Sequence, residues 1–415
     1  MNRSLRIVRG ARQVWPGVLA QGLTFANLFI PILLGAEAQL VVLVQSTAIA
    51  AILVQTVTHA APGRLPSITD GPAAKRIRLA ALVSSAFASG ALAVVGIALT
   101  LAGTGVVSIW LGGAVVLAAQ ALYTVYVAEL TRQFNYRGIL IARLAYAILL
   151  VVLTTVVCLL RAPGFWLAVA ASFSFLAGGL AALVAGRRSL QGSGSITRQS
   201  PLKAYLLDVR VAAPLSFAYL LGGFSGQAGA LALSGLGALQ PAWAVVVRIM
   251  NGMQTIGGQF LAPRADIDVA RAARTEASPS VPFALRKALM VGVALACGTA
   301  VLATAALLYS GVPLHDAVEE LELLVALAGY AALTTGVTVV GRTLGLIGSH
   351  RTRLSWEALR AMGFGVVLLF AREELLLVLL GALGMFFSLS YVILCLRAAK
   401  RHSYEAMTEI TVVSS

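Results

Sequence analysis

Arg248, Asn251, Thr255, Gly258 and Gln259 recur at steps of one to four residues inside the apolar stretch "AWAVVVRIMNGMQTIGGQFLAPR". At helical periodicity they share one face among Val, Ile, Met and Phe. A charge inside a membrane-length apolar run costs roughly 3 kcal/mol or more, so Arg248 needs a compensating role. Its planar guanidinium offers bidentate, charge-assisted hydrogen bonds, which suit a pyrophosphate. Two readings are open. Either the stripe faces a water-filled cavity and grips an anion, or Arg248, about six residues and so near 9 Å from the outer helix end, reaches out to the interface.

Further polar positions recur at helical spacing. One segment shows Ser216, Tyr219, Gly223, Gly226, Gln227 and Ser234; the first apolar segment shows Gly17, Gln21, Thr24 and Asn27. Amides and hydroxyls suit sugar hydroxyls, and they equally hold helices together, as small residues do. His59 is a candidate for proton or ion coupling, with a hydrogen-bonded structural histidine as the plainer reading. Arg342 near a helix end reads as reaching to the interface, and Arg132 and Arg143 as setting topology or meeting anionic head groups. Asp and Glu are absent from the middle of every apolar run. Glu129 and Glu357 fall at inner ends, so an anionic cargo is favoured over a cationic one. Cys158, Cys297 and Cys395 lie within apolar runs, so neither disulfides, a metal site nor a cofactor is expected.

The elements that carry these residues are membrane helices. The chain of 415 residues is 59% hydrophobic and 11% charged, against about 25% charged in ordinary soluble domains. Twelve apolar runs approach or exceed membrane length. The seventh is expected over Ala212–Leu236, the eighth over Trp243–Leu261, the tenth over Leu323–Ile347 and the eleventh over Leu354–Phe370, with Glu357 and Arg360 in its first turns. The basic N-terminus and "AEA" at Ala36–Ala38 imitate a cleaved leader, but the run is too long and a second follows at once.

Charge asymmetry sets the orientation. With the N-terminus inside, all but four of the 31 Lys and Arg residues fall on the cytoplasmic side. The four are Arg161 and Arg372, facing outward, and Arg248 and Arg342, within spans. Glu37, Asp316, Glu319, Glu320, Glu322, Glu373 and Glu374 lie outside. This predicts a multi-pass protein of the cytoplasmic (inner or plasma) membrane with both termini cytoplasmic. It explains the net charge of +15 without nucleic acid.

An internal repeat divides the chain. "QTVTHAAPGR" from Gln55 matches "QTIGGQFLAPR" from Gln254, and "RQFNYRGILIARL" from Arg132 matches "RTLGLIGSHRTRL" from Arg342. The expected organisation is an N-terminal six-helix bundle (1–186), a cytoplasmic linker (187–210), a C-terminal six-helix bundle (211–400) and a cytoplasmic tail (401–415). Bundles of six share orientation, so they would be related by a pseudo-twofold axis along the membrane normal, with a substrate path between them.

The eighth segment, with Ala244, Arg248 and Pro263, resembles the corresponding helix of the polysaccharide and O-antigen flippases, and "LTRQFNYRGILIARL" resembles that family too. The family lies within the multidrug/oligosaccharidyl-lipid/polysaccharide exporter superfamily. The resemblance implies two six-helix bundles and flipping of lipid-linked, polyprenyl pyrophosphate oligosaccharides for surface polysaccharide assembly. It also implies a polysaccharide polymerase or glycosyltransferases as partners, with membrane lipids around the chain. A major-facilitator or multidrug-type permease is the alternative; Asp70, Lys75 and Arg76 follow the second run, though at the wrong spacing for the facilitator loop. A membrane glycosyltransferase or ligase is disfavoured because the outer loops are short and "HDAVEELE" at His315–Glu322 reads as a charged cap.

Overall fold

The computed structural model describes residues 2–68, 70–103, 107–190, 201–262, 265, 268–269, 272, 280–310, 317–341, 343–346 and 350–413. Arg342, Pro263, the Gln259 side chain and the side chains of His315–Glu322 lie outside what is described. Among the described residues there is no strand. The described residues form twelve long helices: α1 (Asn2–Leu33), α2 (Glu37–Val57), α3 (Gly71–Leu101), α4 (Val107–Arg132), α5 (Tyr136–Leu159), α6 (Phe165–Leu190), α7 (Pro201–Gly226), α8 (Gln240–Ile256), α9 (Ser280–Ser310), α10 (Ala317–Ala331), α11 (His350–Phe370) and α12 (Glu373–Val413). The chain is an all-α, polytopic membrane protein.

Eight spans are long and apolar enough to cross a membrane, seven of them within α2, α3, α4, α5, α6, α9 and α12 and one running from α10 on to Val340. Their outward faces fit that medium. On α3, Leu79, Phe87, Val94 and Leu101 are all strongly exposed at steps of seven or eight residues, a greasy stripe that would aggregate in water. The other four helices, α1, α7, α8 and α11, carry the polar candidates and the Glu357–Arg360 pair. Helix α8 has only 17 residues, and the apolar part of α1, Leu19–Leu33, is also shorter than a full span.

The chain divides into two compact units, Met1–Gly223 and Phe224–Ser415. In the first, α4 packs on α2, α3 and α6, and α5 joins α1 to α6. Backbones approach through small residues, as membrane helices favour. A Cβ added to Gly112 would lie 2.5 Å from Ser46 Oγ and 3.1 Å from Ala168 Cβ. Ser46 Oγ in turn donates to the Ile109 carbonyl at 3.0 Å. The part of α7 in this unit lies against the end of α2: Thr56 Oγ1 donates to the Ser216 carbonyl at 3.3 Å, and a Gly223 Cβ would lie 3.1 Å from Ile52 Cα.

In the second unit α10 packs tightly on α12, where the Gly381 carbonyl leaves no room for a Cβ at Gly329. Helix α9 packs on α8 and α10. Its Gly292 lies so close to the Gly336 carbonyl that a Cβ would sit 2.5 Å away.

Four helix expectations need correction. The seventh helix ends at Gly226 instead of Leu236 and gives way to short turns of helix over Ala228–Leu239. The freed backbone is caught by two distant aromatics. Tyr330 Oη accepts from Gly229 N at 2.7 Å and donates to the Gly226 carbonyl at 2.9 Å, while Trp243 Nε1 donates to the Gly229 carbonyl at 2.8 Å. The eighth runs as α-helix only to Ile256 and then as π-helix over Gly257–Leu261. The tenth likewise turns to π-helix over Ala332–Gly336 and leaves its helical course after Val340. The eleventh begins at His350, which carries Glu357 and Arg360 to its third turn.

Candidate functional site

The repeated "QT" motif marks equivalent helix endings. Helix α2 stops at Val57 and α8 at Ile256, each two residues past its motif glutamine, Gln55 and Gln254. After α2 the chain passes through left-handed backbone at His59 (φ 52°) and Ala60 (φ 55°). Non-glycine residues carry strain there. The turn is held by Ala60 N to the Gln55 carbonyl at 2.8 Å and by the Thr58 hydroxyl to the Val54 carbonyl at 2.6 Å. The His59 ring lies 2.8 Å from Ser84 Oγ on α3, so the candidate coupling histidine is built into a structural turn. Tyr219 is near the same turn: its hydroxyl would lie 3.4 Å from a Cβ on Gly63.

On α1, Asn27 is completely buried, and neither amide atom makes a hydrogen bond among the described residues. Gln21 Nε2 is in the same condition, one and a half turns away. Buried amides without partners are rare in native proteins. Thr24, between them, returns its hydroxyl to the Ala20 carbonyl at 2.9 Å.

In the second unit, α8 is buried on nearly every side. Trp243, Ala244, Val245, Val246, Val247, Ile249 and Met250 have no accessible surface. Arg248, Asn251 and Gly252 are half-buried and Thr255 is exposed, so the polar stripe is the accessible face of an otherwise enclosed helix. Asn251 Nδ2 donates to Gln227 Oε1 at 3.2 Å, and Asn251 Oδ1 is buried without a donor. This bond brings together two candidates from different helical segments, because the break at Gly226 places Gln227 in the turn facing α8. Thr255 donates to the Asn251 carbonyl at 2.9 Å, a bond within its own helix. The α1 candidates and Tyr219 belong to the first unit, and Gln227, Arg248, Asn251 and Thr255 to the second.

A second arginine escaped the sequence reading. Arg360 on α11 is only 7% exposed. Its Nε donates to Ser225 Oγ at 2.8 Å, Nη2 lies 2.6 Å from Glu357 Oε2, and the guanidinium carbon sits 4.5 Å above the Trp356 ring. Trp356 is held in turn by Ser390 at 3.0 Å and by Tyr391, whose ring is 4.5 Å away. The signal was the Glu-x-x-Arg spacing, which puts opposite charges on one helical face. Ser225, 135 residues earlier, could not be read from it.

Glu129 on α4, expected at an inner end, is 2% exposed. It receives Arg132 Nη2 at 2.6 Å and Gln133 Nε2 at 2.8 Å, with Arg78 Nη1 3.8 Å away. Asp70 caps α3, accepting from Ala73 N at 3.1 Å, which gives it a local structural task. Among the described residues no cluster of His, Cys, Asp and Glu could hold a metal ion.

Comparison of the sequence with protein-family models and with curated proteins finds no match. Comparison of the fold finds several. An inward-facing multidrug resistance MATE family transporter of the MOP superfamily is matched at TM-score 0.57 and 15% identity, over 95% of this chain and 96% of that one. A point variant of the Vibrio cholerae MATE transporter VcmN matches at 0.53 and 16%, over 95% and 97%. The eukaryotic MATE transporter AtDTX14 matches at 0.53 and 12%, over 96% and 99%. The chain therefore has the fold of the MATE transporters of the MOP superfamily along nearly its whole length.

Proposed function

We propose that this chain is an alternating-access transporter that flips a lipid-linked oligosaccharide across the plasma membrane for surface polysaccharide assembly. Its cargo would be a polyprenyl pyrophosphate saccharide, supplied by glycosyltransferases and passed to a polymerase. The observation that carries the reading is Arg248, a fixed positive charge on the accessible face of an otherwise enclosed helix, with Asn251 and Gln227 beside it. Guanidinium suits pyrophosphate and amides suit sugar hydroxyls. Alternating access is supported by the fold, because a MATE transporter of this likeness is known in inward-facing and outward-facing conformations.

A second reading, export of multidrug type, is favoured by what those structural relatives are. A cationic drug would need a carboxylate to meet it, and here Glu129 and Glu357 are each held by arginine. Proteoliposomes separate the two. The expected result is that the reconstituted chain translocates a fluorescent polyprenyl pyrophosphate oligosaccharide and leaves an ethidium gradient intact. Ethidium export without translocation of the lipid-linked saccharide would establish the multidrug reading instead.

A further inference from the structure

An open groove of about 660 Å³ lies between the start of α5 and the end of α6. Gln133, Asn135 and Arg137 line its polar end; Ile141 and Val184 line its apolar wall. Asn135 fixes this geometry. Its Oδ1 accepts from Gly138 N at 2.9 Å and its Nδ2 donates to the Ala185 carbonyl at 3.2 Å, tying the two helices together.

The electrostatics at the groove are one-sided. Glu129, which accepts from the lining residue Gln133, is also bound by Arg132. Arg137 is exposed and makes no hydrogen bond or ion pair with a described residue. Arg187, two residues beyond Ala185 on α6, is exposed as well. Among the described residues that line the groove, Arg137 is charged and none is acidic.

Its other end is suited to hydrocarbon. Ile141 is 48% and Val184 61% exposed, on helices whose outward faces are apolar, and Tyr136, next to Arg137 in the chain, is exposed as well. Tyrosine is enriched at this depth of a membrane protein. Charge asymmetry assigns this end to the cytoplasmic side, where the leaflet carries anionic lipid.

We propose that this groove binds the phosphate head group of an anionic phospholipid, with Arg137 on the phosphate and Ile141 and Val184 against the first part of an acyl chain. Inorganic phosphate offers the same charge but nothing to cover the apolar wall, so the lipid is the occupant.

Native mass spectrometry of the full chain in neutral detergent tests this, with dioleoylphosphatidylglycerol, dioleoylphosphatidylcholine or inorganic phosphate added. Phosphatidylglycerol is expected to bind in preference to the other two. Arg137→Gln is expected to weaken it about fivefold, the equivalent of about 1 kcal/mol for one basic residue at a membrane surface. Val184→Trp, which fills the groove and keeps the charge, should weaken it comparably. Lys75→Gln, removing an exposed basic residue from α3, should leave it unchanged. Binding undiminished in Arg137→Gln and Val184→Trp overturns the proposal. So does an equal loss in Lys75→Gln, which marks diffuse surface charge. Equal uptake of phosphatidylcholine marks an acyl-chain contact only, and tight binding of inorganic phosphate marks a free-anion site; either also overturns it.

Discussion

Two arginines in the second unit are placed in opposite ways. Arg360 is enclosed: Ser225, Glu357 and Trp356 surround its guanidinium, and 7% of the residue is exposed. Arg248 lies half-buried on the accessible face of a helix whose other sides are closed, beside an asparagine oxygen that has no donor. A charge buried with its counter-ion and hydrogen bonds holds structure together. A charge on an accessible polar face can exchange partners, which binding a cargo requires. Sequence position alone does not separate them, for Arg248 sits within an apolar run and Arg360 stands three residues from a glutamate near a helix start.

The largest expected effect follows from breaking the enclosed site. Arg360→Ala leaves the half-buried Glu357 without its counter-charge and empties a buried pocket, and the loss should be about 3 kcal/mol, read as a fall in melting temperature in detergent. The paired change Arg360→Met with Glu357→Gln should recover much of it. A single variant as stable as wild type would make the cage incidental. A smaller loss, about 1–3 kcal/mol, is expected for Tyr330→Phe. That change removes the hydroxyl serving Gly229 N and the Gly226 carbonyl and leaves the buried Gly229 N without that acceptor. Hydrogen exchange around Gln227 should rise in the same variant, and unchanged exchange there would mean that the break after α7 holds itself.

Smaller still is the expected effect on folding of Thr255→Ala on the accessible stripe, within about 0.5 kcal/mol, because the Thr255 hydroxyl only returns to its own helix. A large loss of stability there would show the stripe to be packed structure, and the contrast between the two arginines would narrow.

The twelve helices were legible because a membrane-spanning element must be long, apolar and flanked by charge of one sign. The polar stripe of α8 was legible for the same reason, since helical spacing alone puts Arg248, Asn251 and Thr255 on one face. What escaped was set by distant partners. Gly226 ends α7 because Tyr330, 104 residues on, takes over its carbonyl, and a window of hydropathy shows only Gly222, Gly223 and Gly226 in an apolar run. The π-helical turns after Ile256 and Ala331 lie where helices pack closely: a Cβ on Gly257 would sit 2.7 Å from the Leu295 side chain, and one on Gly292 would sit 2.5 Å from the Gly336 carbonyl. Hydropathy places Arg360 in the first turns of a helix starting at Leu354, whereas the helix starts at His350, and its partner Ser225 lies in another segment. The bond between Gln227 and Asn251 depends on the same break in α7, so neither the break nor the pairing could be read separately.

The central claim is that Arg248 serves the cargo and Arg360 the fold. Its most direct test is the rate at which proteoliposomes containing Arg248→Lys translocate a fluorescent polyprenyl pyrophosphate oligosaccharide, normalised to folded protein. Lysine keeps the charge and loses the bidentate fork, so translocation should fall roughly tenfold, the size of one charge-assisted hydrogen bond of about 1.5 kcal/mol, while the melting temperature stays at the wild-type value. Wild-type translocation by Arg248→Lys and by Arg248→Ala would contradict the account and leave Arg248 as a side chain reaching to the interface.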